Sequence, residues 1–261
     1  MNDKNWLKQT KDKPLYPDLI WGRPENRKLA GKLLIIGGNS QSFNNLATAY
    51  SAALTAKVGM IRAILPDVLR PNLVKIFPEA SYAPSTPSGS FARSGLSILF
   101  ESANWADGVL LAGDFGHNSE TAILLEQFIN QYDGLLGLSK DSLDYFTNNP
   151  LELLKRKNTM LVLNLGQLQK IAIKAKFSKA FTFDMDLIRL VSTLQDFTKE
   201  YSSIIIVKHL SNICIGLNNQ VITTKLEEEL STWTTETSAK AITWWLQNPN
   251  QPLEAIASSL V

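Results

Sequence analysis

The stretch Ile35-Ile36-Gly37-Gly38-Asn39-Ser40 decides what fold to expect from this chain. It closes an apolar run with two glycines and a polar turn, and a segment rich in alanine follows over residues 45–58. Continuous apolar runs are typical of strands buried on both faces, and glycines at a strand's carboxyl end let backbone amides approach a ligand. The third glycine of a dinucleotide fingerprint and the lysine of a P-loop are missing, so a plain tight turn is an equally good interpretation.

Further apolar runs without alternation follow at residues 60–65, 108–111, 134–138, 160–163 and 204–207. Helical segments are predicted over residues 45–58, 88–103, 119–130, 166–176 and 185–200. Alternation of strand and helix predicts a mostly parallel central sheet covered by helices on both faces, a three-layer α/β fold. Residues 213–217 and 220–223, joined through Asn218 and Asn219, predict an antiparallel hairpin. Helices over 235–247 and 252–260 complete the prediction.

The domain prediction is an irregular N-terminal arm over residues 1–31 and one α/β domain over residues 32–261. Pro14, Pro17 and Pro24 interrupt any apolar period in the arm. A chain of 261 residues, 44% hydrophobic, is long enough to bury one sizeable core.

Composition argues against several classes of function. The 26 basic and 24 acidic residues leave a net charge of +2, so we expect no nucleic-acid partner and no attachment to a membrane. Cys214 is the only cysteine, and the first residues lack the apolar segment of a secretory signal. With two histidines and one cysteine, we predict no zinc site and no tightly bound metal. These features favour a soluble, cytoplasmic protein.

A second strand end, residues 111–117, carries Gly113, Asp114 and Gly116. Open α/β sheets bind ligands outside the carboxyl ends of their strands, so two such loops strengthen the expectation of a site there. Asp114 is either a functional carboxylate or, more often in such loops, a residue that stabilises its own turn. Trp244 and Trp245 are better explained by helix packing or an oligomer contact than by a ligand platform.

A set of short motifs follows these loops in a distinctive order. It comprises the glycine pair, the alanine-rich helix, Val58-Gly59-Met60, Pro78-Glu79, and residues 106–109 leading into the loop at Gly113–Gly116. Residues 138–143 are similar to an Asp-Ala-Asp strand end, and residues 161–167 to a Thr-Pro-His-x-Gly-Glu segment. Across about residues 21–260, the chain resembles the nucleotide-dependent NAD(P)H-hydrate dehydratases, which have the ribokinase-like fold.

The resemblance implies nucleotide-dependent removal of water from hydrated NADH or NADPH, with ATP or ADP and magnesium as cofactors and a homo-oligomeric assembly. Transferred residue by residue, it assigns two groups of binding residues. The substrate-binding positions are Gly38, Asn45, Gly116 and Asn164, and the nucleotide-binding positions are Lys208, Thr234 and Thr235.

The chain departs from the family's pattern at several of these positions. Residues 112–116 replace Gly-Pro-Gly-Leu-Gly, Asn44-Asn45 replaces Gly-Ala, and His209 replaces the glycine after the family's lysine. Asn164 stands in place of a histidine and cannot transfer a proton as an imidazole can.

Residues 231–236 replace the family's Gly-Thr-Gly-Asp motif, which places Thr235 opposite the catalytic aspartate. Glu236, one residue further, is a candidate base, although an acidic residue in a first helical turn more often compensates the helix dipole. Two functions therefore remain: a dehydratase, or a catalytically inactive relative that keeps the fold as a binding or assembly module. A small-molecule kinase on the same fold ranks third, because it needs the same missing groups.

Overall fold

A computed structural model describes residues 4–75, 77–226 and 232–261. In this part of the chain ten strands form one sheet, in the order β1-β10-β9-β8-β7-β6-β5-β2-β3-β4. The strands are β1 (Trp6–Gln9), β2 (Lys32–Gly37), β3 (Met60–Pro66), β4 (Ala80–Ala83), β5 (Gly108–Gly113), β6 (Leu135–Ser139), β7 (Thr159–Leu163), β8 (Ile204–His209), β9 (Asn212–Leu217) and β10 (Gln220–Lys225). Strand β9 is antiparallel to both of its neighbours, and the other neighbouring pairs are parallel. The mostly parallel sheet predicted from the sequence is thus confirmed.

Helices cover both faces of the sheet. They are α1 (Pro17–Trp21), α2 (Asn44–Thr55), α3 (Arg70–Leu73), α4 (Leu96–Trp105), α5 (Ser119–Gln131), α6 (Leu151–Lys155), α7 (Leu165–Lys174), α8 (Leu187–Glu200), α9 (Trp233–Gln247) and α10 (Pro252–Ser258). Helices α2, α3, α9 and α10 pack on one face, and α4 to α8 pack on the other. The arrangement is the predicted three-layer α/β fold.

Each central strand supplies side chains to two cores. In β2, Leu34 and Ile36 pack with the α4–α8 layer, whereas Leu33 and Ile35 pack with the α2 and α9 layer. Successive strand residues point to opposite faces, so a strand covered on both faces must be apolar at every position. This is why the run before Gly37 shows no alternation.

The N-terminal arm is more regular than the sequence predicted. Strand β1 pairs in parallel with β10, Trp6 Nε1 donates to Thr223 Oγ1 at 3.0 Å, and Gln9 Nε2 donates to Thr224 Oγ1 at 2.8 Å. The prolines that indicated irregular structure follow β1 in sequence and leave its backbone donors intact. A strand of four residues was too short to stand out as a pattern. The division into arm and domain stays a prediction.

Several further elements differ from the sequence prediction. Strand β4 and the short helices α1, α3 and α6 were not predicted, and the helix expected from residue 88 begins at Leu96 after a 3-10 turn. Residues 85–91 instead form a turn closed by a bridge between Ser85 and Phe91, with Gly89 at a φ of +81°. A right-handed helix needs a negative φ, so this positive φ interrupts any helix at residue 89. Glycine adopts it without the strain that a side chain would cause.

The hairpin and the paired tryptophans follow the prediction. Asn218 and Asn219 have φ values of +49° and +66°, as the tight turn between β9 and β10 requires. Trp244 and Trp245 are 7% and 3% exposed, so they pack inside the chain and their rings are not available as an oligomer contact. Among the described residues no helix is long and apolar enough to cross a membrane.

Candidate functional site

The residues selected from the sequence gather around the carboxyl edge of the sheet. Gly38, Gly116 and Asn164 directly follow or lie close behind β2, β5 and β7, and Lys208 is near the end of β8. The N-terminal ends of α2 and α9 meet this edge, because Asn45 in the first turn of α2 hydrogen-bonds to Thr235 in the first turn of α9. Parallel strands place these positions together, as the sequence argument required.

Asp114 joins the β5 loop to α2. Its carboxylate accepts hydrogen bonds from the Asn45 backbone N–H at 2.8 Å and from Asn45 Nδ2 at 2.7 Å. Asn39 Nδ2 donates to the Asp114 carbonyl at 2.8 Å. Asp114 has a φ of +60°, a conformation that Asp tolerates better than most residues, and a negative charge is favourable at a helix N-terminus. Its partners lie in another loop and helix, so its role is to connect elements rather than to stabilise its own turn.

Asn45 extends this connection to α9. Its Oδ1 accepts from Thr235 Oγ1 at 3.0 Å, so Asp114, Asn45 and Thr235 form one continuous set of hydrogen bonds, here called the polar bridge. Ser238 Oγ donates to the Thr235 carbonyl at 2.8 Å and lies 3.4 Å from Ser139 Oγ. The polar bridge therefore engages both polar groups of the Asn45 side chain and the hydroxyl of Thr235.

Asp141, after β6, occupies the inside of the loop at Gly113–Gly116. Its Oδ2 accepts from the Gly116 N–H at 3.1 Å, and its Oδ1 is buried without a hydrogen-bond partner. Burial raises the pKa of Asp141, and the charge of Asp114 acts in the same direction, against hydrogen bonds from the backbone of residues 114–116. The sequence analysis did not select Asp141 as a site residue, although it lies in the segment similar to Asp-Ala-Asp.

At the two glycine positions of the site, Gly38 and Gly116, the backbone has a positive φ and its N–H is already hydrogen-bonded. Gly38 has a φ of +94° and donates its N–H to the Gly113 carbonyl at 3.0 Å, and a Cβ on Gly37 would lie 2.5 Å from that same oxygen. The loop after β2 is thus a tight turn packed on β5. Gly116, at a φ of +74°, presents its N–H to Asp141.

The start of α9 places Glu236 away from the polar bridge. Glu236 accepts from Thr232 Oγ1 at 2.6 Å and lies 3.9 Å from Lys240 Nζ. It lines a cavity of about 520 Å³ between α2 and α9. The backbone N–H groups of Thr235 and Glu236 both donate to the Thr232 carbonyl, and the hydroxyl of Thr234 is buried without a partner. Ser231 lies outside the described residues.

Two more of the selected positions, Asn164 and Lys208, lie at the start of α7 and near the end of β8. Asn164 caps α7, since its Oδ1 accepts from the Gln167 N–H at 2.8 Å while Gln167 Oε1 accepts from the Asn164 N–H at 3.2 Å. Lys208 is half-buried and pairs across the sheet with Ile213, and His209 beside it is 5% exposed with Nε2 unpartnered.

Two backbone amides at the sheet edge are already held by carboxylates. Phosphates bind where backbone amides at a glycine turn or helix N-terminus are available. Here the Asp141 carboxylate accepts from the Gly116 amide and the Asp114 carboxylate accepts from the Asn45 amide. Within the described residues no three His, Cys, Asp or Glu side chains are placed to hold a metal ion.

Comparison with known proteins gives structural likeness only. The sequence matches no protein-family model and no curated protein. A ribokinase-like superfamily protein from Enterococcus faecalis superposes with a TM-score of 0.73 at 14% identity, covering 99% of this chain and 87% of that one. A hypothetical protein from Streptococcus mutans superposes with a TM-score of 0.67 at 15% identity, covering 91% of this chain and 82% of that one.

An ADP/ATP-dependent NAD(P)H-hydrate dehydratase from Bacillus subtilis, co-crystallised with ATP and Mg²⁺, gives a TM-score of 0.63 at 10% identity, covering 94% of this chain and 85% of that one. At such identities the likeness establishes the fold and not the activity. By its sheet order, its layers and these neighbours, the chain has a ribokinase-like α/β fold.

Proposed function

We propose that this chain is a catalytically inactive relative of the NAD(P)H-hydrate dehydratases that retains the fold as a binding or assembly module. The polar bridge carries the proposal. The residue opposite the family's catalytic aspartate, Thr235, is fully buried and donates its hydroxyl to Asn45, which is itself held by Asp114.

The chemistry supports the same conclusion. In the family the aspartate at this position transfers a proton, and a threonine hydroxyl does not titrate in the range where such catalysis works. Glu236 carries a carboxylate, but it lies beside Lys240 in the groove between α2 and α9. Asn164 is engaged in capping α7 and carries no transferable proton.

An active dehydratase is the second candidate, favoured by the structural likeness to the Bacillus subtilis enzyme. On that hypothesis hydrated NADH or NADPH binds over Gly38 and Gly116, and ATP or ADP with magnesium binds near Lys208 and Thr234. A ligand that binds through the Gly116 amide would have to displace the Asp141 carboxylate from it.

Thermal unfolding with ATP, ADP and NADPH in the presence of magnesium tests both candidates. A ligand bound only to the folded state stabilises it by about 2.7 kcal/mol at a hundred times its dissociation constant. We expect no shift at millimolar concentration and no loss of hydrated NADPH when protein and ATP are added. A shift abolished by Lys208→Ala, accompanied by formation of NADPH from its hydrate, would instead establish the dehydratase.

Two further expectations belong to this proposal. A homo-oligomer is tested by sedimentation equilibrium of the purified chain over a range of concentrations. A cytoplasmic location is tested by fractionating the source cells and probing the fractions with an antibody against the chain.

A further inference from the structure

The beginning of β3 forms an unpaired stretch at the edge of the sheet. On one side, β2 pairs with β3 from Met60 to Ile64, whereas on the other side β4 pairs only with residues 63–66. A turn, in which the Ala80 N–H donates to the Phe77 carbonyl at 3.2 Å, precedes β4 and delays its start to residue 80. No strand of the described chain pairs with the outer side of residues 60–62.

A cavity of about 570 Å³ lies over this stretch and is here called the β3 notch. Met60, Ile61 and Arg62 line it, together with Leu54 of α2 and Trp105 of α4. These two helices cover opposite faces of the sheet, so the β3 notch crosses the sheet edge. Leu54 and Met60 are 46% and 41% exposed, which leaves apolar surface beside unpaired backbone.

The charged side chains of the β3 notch are mainly basic. Arg27 and Arg62 both line it and are exposed, and the Arg62 guanidinium lies 4.0 Å from the centre of the Trp105 ring. The one carboxylate in the lining, Glu79, already accepts a hydrogen bond from Tyr50 at 2.8 Å. The charge of the β3 notch therefore complements an acidic ligand.

We propose that the β3 notch binds an extended acidic segment of a partner protein, which adds to the sheet as a short strand beside Met60–Arg62. An unpaired strand edge offers hydrogen-bonding groups to a second chain. Here they are the N–H and C=O of Ile61, because Met60 donates its N–H to the Gly31 carbonyl on the β2 side. Alternate residues of an added strand point to opposite sides, so one set can contact Leu54 on the α2 face while acidic residues reach Arg62 beside Trp105 on the α4 face. Three backbone positions span only about 10 Å, so the interaction is short and relies on charge.

The test measures fluorescence anisotropy of a labelled eight-residue peptide of alternating valine and glutamate, added to the full chain. We expect saturable binding that weakens as salt is added and falls at least tenfold in Arg62→Glu and in Arg27→Glu. Arg189→Glu, the same charge change on α8 at a distant part of the surface, is the matched control and should leave binding unchanged. Arg27 is exposed and its carbonyl oxygen lies beside Gly59, so its variant keeps the test valid should Arg62→Glu fail to fold.

Two peptide controls examine the strand geometry. A peptide methylated on alternate backbone nitrogens, and one with lysine in place of glutamate, should each lose binding. Several results overturn the proposal: no saturable binding at millimolar protein, equal binding of the methylated peptide, or an equal effect of Arg189→Glu. Self-association that Arg62→Glu abolishes, without peptide binding, would also overturn it, because a second copy would then occupy the β3 notch.

Discussion

Replacing Asp114 by alanine tests whether the polar bridge stabilises the fold. The change removes the acceptor for two hydrogen bonds from Asn45, one from its backbone and one from its side chain. Hydrogen bonds to a charged group contribute about 1.5–3 kcal/mol each when buried, and the partial exposure of Asp114 places the pair near the lower end. Alanine at a φ of +60° adds about 1 kcal/mol of strain.

We therefore expect Asp114→Ala to lower the free energy of unfolding by about 3–4 kcal/mol, a drop of roughly 6–10 °C in melting temperature for a domain of this size. Asp114→Asn keeps the tolerance for a left-handed backbone and one acceptor oxygen, so it should cost about half as much. Urea unfolding followed by circular dichroism measures both variants, with Asp12→Ala at an exposed turn as the control.

A double-mutant cycle makes the test specific to the bridge. Asn45→Ala removes the other partner, and contacting residues in one network normally show coupling of about 0.5–3 kcal/mol. If Asp114→Ala costs less than about 0.5 kcal/mol, or if its effect simply adds to that of Asn45→Ala, the polar bridge does not hold α2 and α9 to the β5 loop. The reasoning that assigns these residues a structural role would then be wrong.

The remaining predictions concern three other positions. Because burial raises the pKa of Asp141 above its unfolded value, protonation favours the folded state, so this residue makes stability fall as the pH rises through its folded pKa. The free energy of unfolding of Asp141→Asn should therefore exceed that of the wild type most clearly near pH 7. Urea unfolding should show this difference shrinking toward about pH 4, and a difference independent of pH would contradict the reasoning. Burial raises the pKa of the Cys214 thiol to about 12, so a thiol reagent at about pH 8 should label it only after unfolding, and rapid labelling of the native chain would be the contrary result. Gly59→Ala should cost about 3 kcal/mol or more by urea unfolding, since its Cβ would overlap the Arg27 carbonyl oxygen, whereas Gly166→Ala in α7 should be neutral or stabilising.

The regular part of the fold was readable from the sequence because it depends on local pattern. Buried parallel strands need apolar residues at every position, and the runs at residues 33–36, 108–111 and 204–207 all became central strands. Edge elements do not carry that pattern. Strand β1 has one fully buried residue among four, and β4 likewise, so neither differs in sequence from a loop. Pairing partners more than two hundred residues away, such as Val221 for Trp6, create β1.

The site was predictable in position and not in its contacts. Parallel topology alone brings the carboxyl ends of β2, β5 and β7 to one edge, which is why Gly38, Gly116 and Asn164 lie along it. The hydrogen bonds of Asn45 to Asp114 and to Thr235 join residues separated by 69 and by 190 positions in the sequence. They depend on how the loops and helices are placed relative to each other. Asp141 was not predicted as a site residue for the same reason, because it acts by accepting a hydrogen bond from the Gly116 amide on another loop.

The departures from the dehydratase pattern are linked in space. Asp114 stands where the family has a glycine, Asn45 where it has an alanine, and Thr235 where it has the catalytic aspartate, and these three side chains bond to one another. An aspartate at position 235 would set a carboxylate against Asn45 Oδ1, and Asn45 is already bonded to the Asp114 carboxylate, so like charges would repel across it. Restoring that one residue should therefore lower stability without creating activity. Asp114, Asn45 and Thr235 therefore act as one structural unit, and a change at any of them should affect the other two.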